Sequence, residues 1–79
     1  MSAERLLQVL YKSRSAIKPV YVPDVAYEIG LSSKEAIQAW AYLKENNFIK
    51  TFSLPYAATI NDKGIAEVEN PTHFSDSKH

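Results

Sequence analysis

The side chains that could do chemistry gather between residues 32 and 44. Ser32, Ser33, Lys34, Gln38, Tyr42 and Lys44 follow one another at short intervals. The steps of four from Lys34 to Gln38 to Tyr42 are those of one helix face. Together they offer hydroxyl, amine, carboxamide and phenol groups, a surface that gives and takes hydrogen bonds. They include no base that could activate a nucleophile. The only histidines, His73 and His79, stand near the end of the chain, and there is no cysteine. Two histidines on a terminal tail make a poor metal site, and no glycine-rich phosphate loop is present. The expectation is a binding protein, not an enzyme, with no metal and no cofactor.

Residues 29–40, IGLSSKEAIQAW, must hold that surface in place. Gly30 can take the left-handed conformation that ends a helix. Ser32 and Glu35 stand in the capping-box relation, each side chain able to reach the other's backbone amide. The helix that starts there should run to about Asn46. Ala36, Ala39, Trp40 and Leu43 fall on one side of it, and Lys34, Gln38, Ala41, Tyr42 and Glu45 on the other, with Ile37 on the flank. Asn46 and Asn47 can supply a left-handed exit.

Upstream, Leu6, Leu7, Leu10, Tyr11 and Ile17 recur at helical spacing, so a first helix is expected from Ala3 to Ile17, capped by Ser2 and ended by Pro19. Pro19 to Val22 reads as a brief strand. Pro23 and Asp24 suit the first turn of a second helix, which buries Val25, Ala26 and Ile29 and stops at Gly30. Downstream, Phe48 to Leu54 and Ala57 to Ile60 read as a hairpin. Asn61 can cap a last helix over Asp62 to Glu69 with Ile65 and Val68 turned inward. Gly64 inside that helix costs about 1 kcal/mol against alanine, which points to a close approach by a neighbouring element.

With 79 residues, the chain is short enough to make one domain, over residues 1–70, followed by a polar tail, 71–79, expected to be disordered. Leu10, Ile29, Trp40, Leu43, Phe48 and Ile60 are the expected core. The start is not that of a secretory signal, and no run is long enough to cross a membrane, so a soluble cytoplasmic protein is expected. The formal net charge is zero, which counts against a dedicated nucleic-acid binder. The charge is uneven, however. Arg5, Lys12, Arg14 and Lys18 against Glu4 give residues 1–20 a net of +3. Asp62, Glu67, Glu69 and Asp76 against Lys63 and Lys78 give residues 61–79 a net of −2.

Three stretches resemble the winged helix-turn-helix family. VPDVAYEIGLSSKEAIQAWAYL is similar to its short helix, glycine-containing turn and recognition helix. YLKENNFIK resembles the exit into the wing, and ATINDKGIAEVE the junction from strand to last helix. The likeness covers residues 3–69. Asn47 stands where the family often has glycine, and the wing tip near Pro55 and Tyr56 is short and uncharged. The fold implied is mainly α with a small β-hairpin (α+β): a three-helix core, a two- or three-stranded wing and a short C-terminal helix. The function implied is sequence-specific binding of double-stranded DNA by a small transcriptional regulator, with residues 33–46 in the major groove. Carried onto this chain, Gln38 would bracket adenine, Lys34 would meet guanine or a phosphate, and the Tyr42 hydroxyl would reach a phosphate. The amides at Ser32 and Ser33 would favour an anion. Lys44, and Ser53 and Tyr56 in the wing, would lie along the backbone.

A rival expectation rests on the aromatics. Tyr21, Tyr27, Tyr42, Phe52, Tyr56 and Phe74 exceed what one small core needs. Exposed and clustered, they would mark a protein-interaction module, an adaptor or a homodimer seam, without DNA binding.

Overall fold

The structure, a computed structural model, describes residues 2–16 and 18–71. Four helices and three strands follow in the order α1 (Ser2–Lys12), β1 (Val20–Tyr21), α2 (Val22–Glu28), α3 (Ser33–Glu45), β2 (Ile49–Thr51), β3 (Ala57–Ile60) and α4 (Asp62–Glu69). The expected α+β architecture is present. The tail from residue 72, with His73, Phe74 and His79, and also Ile17 lie outside the described residues.

α1 forms because Ala3, Leu6, Leu7 and Leu10 make one apolar stripe, and all four are buried. The stripe packs most extensively on α3, where Ala36, Ala39 and Leu43 are buried in turn. Each fully buried leucine contributes about 1.5–3 kcal/mol relative to exposure. α1 is shorter than its periodicity predicts and starts at Ser2 itself. After Lys12 the chain winds down through turns, with Arg14 N–H donating to Tyr11 O (3.1 Å) and Ala16 N–H to Ser13 O (2.9 Å). Ser13 and Ser15 are poor helix formers because their hydroxyls compete for backbone groups, and Pro19 lies ahead.

The strands form an antiparallel sheet in the order β1-β3-β2. Ala58 sits opposite Val20 on one side and Thr51 on the other. β2 is shorter than expected because the chain leaves the ladder at Phe52. Residues 52–55 are all exposed.

Phe48, Leu31 and Val22 complete the core with Ala26, Ile49 and Ala58. Three residues expected inside, Ile29, Trp40 and Ile60, are half-buried and pack against its edge. In α4, Ile65 and Val68 are likewise half-buried, while Gly64 and Glu67 are the buried residues. The reason lies in Gly64. A Cβ there would stand 2.2 Å from the Phe48 carbonyl oxygen, so α4 approaches the α3–β2 junction along its glycine.

Candidate functional site

α3 is held at both ends by backbone geometry that its sequence dictates. At its entry, Gly30 has φ +84°. Leu31 N–H donates to Ala26 O (2.9 Å) and Gly30 N–H to Tyr27 O (3.2 Å), the paired bonds of a Schellman motif. The side chain of Arg5, from α1, donates to the Ile29 carbonyl. The capping box is complete: Glu35 N–H donates to Ser32 Oγ (3.1 Å) and Ser32 N–H to Glu35 Oε1 (2.9 Å).

The exit repeats the motif without glycine. Phe48 N–H donates to Leu43 O (3.0 Å) and Asn47 N–H to Lys44 O (3.1 Å), with Asn47 at φ +62°. The start of α4 then takes up the junction's carbonyls. Lys63 Nζ donates to Asn46 O (2.9 Å) and Asn61 Nδ2 to Asn47 O (2.7 Å). Asn61 N–H donates to Phe48 O (3.2 Å). Asn61 Oδ1 meanwhile accepts from Gly64 N–H (2.8 Å) as the α4 cap. α3 is therefore a fixed rod, and what it turns outward is set by its register.

Ser33, Lys34, Ile37, Gln38, Lys44 and Glu45 are exposed on it. Among the described residues, Lys34 and Gln38 make no hydrogen bond or ion pair, so their polar ends are free. Lys44 is partly engaged, with its ammonium 5.1 Å from the centre of the Trp40 ring. Tyr42 is half-buried. It borders a shallow open depression between the start of α1 and α3, together with Ser2, Ala3, Gln38 and Ala39.

Two expected contacts sit differently. Ser32 is exposed, but its hydroxyl and amide are both spent on Glu35. The backbone hydrogen bond from Ser32, then the Ser32 hydroxyl and the nearby Arg5, hold the Glu35 carboxyl below its ordinary value. A carboxylate thus already stands at the first turn of α3, where an anion was expected. Tyr56 is not a free loop tip. It is half-buried, and its ring meets Trp40 edge-on at 5.2 Å and 84°. Its φ is +64°, and its carbonyl accepts from Val22 N–H (2.9 Å). Such a conformation in a bulky residue is strained, and the packing on Trp40 and the bond to α2 hold it. Beside it, the Trp40 indole N–H is buried and has no hydrogen-bond partner among the described residues.

Ser53, expected within the strand Phe48 to Leu54, lies in the exposed stretch after β2. One neighbour was not among the expected contacts: Lys50, exposed on β2 with its ammonium 5.6 Å from the ring centre of Phe52, one of the surplus aromatics, which is 38% exposed. The alternation Ile49-Lys50-Thr51 was the available signal, since it turns Lys50 away from the buried Ile49.

Among the described residues no group of three or more histidine, aspartate or glutamate side chains could hold a metal ion, and no helix is long and apolar enough to cross a membrane. Compared with known proteins, the chain matches no family model, no curated protein and no solved structure.

Proposed function

We propose that this chain is a winged helix-turn-helix domain that binds double-stranded DNA, as a small transcriptional regulator with α3 in the major groove. The order of elements supports it: helix, strand, helix, tight turn, helix, hairpin, helix, with the third strand central in the sheet. The observation that carries it is the exposed pair Lys34 and Gln38, without hydrogen-bond or ion-pair partners among the described residues, on the side of α3 opposite Ala36, Ala39 and Leu43. A helix fits the major groove and reads base edges with such groups. Lys34, Lys44 and Lys50, all exposed, supply the attraction to phosphates.

Fluorescence titration against random duplex DNA at two salt concentrations tests it. If the three lysines displace counterions, affinity should fall roughly 40-fold between about 50 and 200 mM salt. A flat dependence, or no binding at low salt, rejects the proposal.

A second function is favoured by a different observation. Tyr27 is 83% exposed and Leu54 59%, and large apolar groups in water mark protein interfaces. A module that binds a protein partner or a second copy of itself would use these residues, and its association would be insensitive to salt.

A further inference from the structure

The face of α3 that carries Lys34 and Gln38 also carries apolar groups. Ile37 is 37% exposed, and Ala41 is half-buried. Lys34, Ile37, Gln38 and Ala41 step along the helix by three, one and three residues, so they form one strip. At about 1.5 Å per residue the strip is about 10 Å long, which matches about three base-pair steps of about 3.4 Å.

The chemistry of the strip is selective. α3 holds no arginine, so it lacks the planar fork that most often reads guanine. Its one carboxamide matches the adjacent donor and acceptor of adenine, N6 and N7. Its apolar members match the 5-methyl group of thymine, which only an A·T pair places in the major groove. Glu45, which could accept from cytosine N4, lies about 10 Å further along the axis than Gln38, towards the end that leaves the groove.

We infer that α3 selects A·T pairs, with Gln38 bracketing the N6–N7 edge of adenine while Ile37 and Ala41 pack on thymine methyl groups. This rests on the DNA-binding function proposed above. In this arrangement Lys34, at the start of the strip, is assigned to the adjoining phosphate, which leaves the base edges to the other three residues.

Selection by the intact chain from a random duplex pool should return sites built on A·T pairs. In the best site, each thymine is then replaced in turn by deoxyuridine, which lacks only the methyl group. At one or two positions affinity should drop about fourfold, the worth of one buried methyl. Each adenine is likewise replaced by 7-deazaadenine, and one position should lose about five- to tenfold. Ile37→Ala should weaken the deoxyuridine effect at the position that Ile37 covers and leave any at the Ala41 position, and Gln38→Ala should abolish the 7-deazaadenine effect. The modified duplexes are read with the native chain as well, so the result does not depend on either variant folding. Sites rich in G·C, or equal binding of thymine and uracil duplexes at every position, would overturn the inference and leave DNA binding intact. A chain that binds no duplex at low salt would overturn both.

Discussion

At the scale of single residues, Gly64 and Asn47 show how a backbone position can outweigh a side chain. An exposed helical glycine replaced by alanine gains about 1 kcal/mol from helix propensity. At Gly64 the new Cβ would meet the Phe48 carbonyl oxygen at 2.2 Å and Ile60 Cγ1 at 2.7 Å. The first of these is backbone and cannot swing aside, so overpacking of about 1–3 kcal/mol wins. Gly64→Ala should lower the urea midpoint; a rise would mean that α4 is free to shift outward. Asn47 works the other way, through conformation alone. At φ +62° it pays part of the roughly 1–2 kcal/mol that a left-handed residue costs. Its carbonyl, not its side chain, holds Asn61. Asn47→Ala should therefore cost about 1 kcal/mol in the same denaturation experiment, while Asn47→Gly should be as stable as the parent.

At the scale of elements, α3 owes its position to the turns on either side. Both are Schellman motifs whose following residue, Leu31 or Phe48, enters the core. Turn and core thus specify the same register, and the outward face follows from it. The capping box adds a pH dependence. Glu35 titrates below its ordinary value in the folded chain, so its contribution to stability is full above the unfolded pKa of about 4.3. It is lost as the pH falls through the lower, folded value. Glu35→Gln keeps the acceptor for Ser32 N–H but removes the charge. The parent should be the more stable of the two near neutral pH, and the difference should shrink as the pH falls through the folded value in parallel thermal melts. A constant gap across that range would show that the charge is irrelevant to the cap.

At the scale of the whole molecule, charge is distributed in a way that the zero net value hides. Lys34, Lys44 and Lys50 are exposed on α3 and β2, while α2 presents Asp24 and Glu28 to solvent. Opposed charge on neighbouring helices limits phosphate attraction to a few contacts. This is why the proposed DNA complex should show a salt slope near three ions, not the steeper slope of a strongly basic protein. The basic residues near the start of the chain do not simply add to that surface. Arg5 is spent on the Ile29 carbonyl. Arg14 lies 4.0 Å from the centre of the Tyr11 ring, and Tyr11 in turn donates to Glu69 (2.8 Å). These contacts tie α1 to the α2–α3 turn and to the end of α4.

The sequence by itself determined every element whose cause is local. The capping pair Ser32 and Glu35, the left-handed Gly30 and Asn47, the cap at Asn61 and the close approach at Gly64 could all be read from residue types at fixed spacing. Each depends on backbone groups only a few residues away or on the absence of a side chain. The early end of α1, the half-burial of Trp40, Ile29 and Ile60, and the diversion of Tyr56 from loop tip to packing partner were decided by tertiary structure. A helical wheel shows which side of a helix is apolar but not how far a neighbour extends over it. Trp40 sits at the rim because small Ala36 and Ala39 let α1 settle close on α3, and Tyr56 folds over the ring that remains.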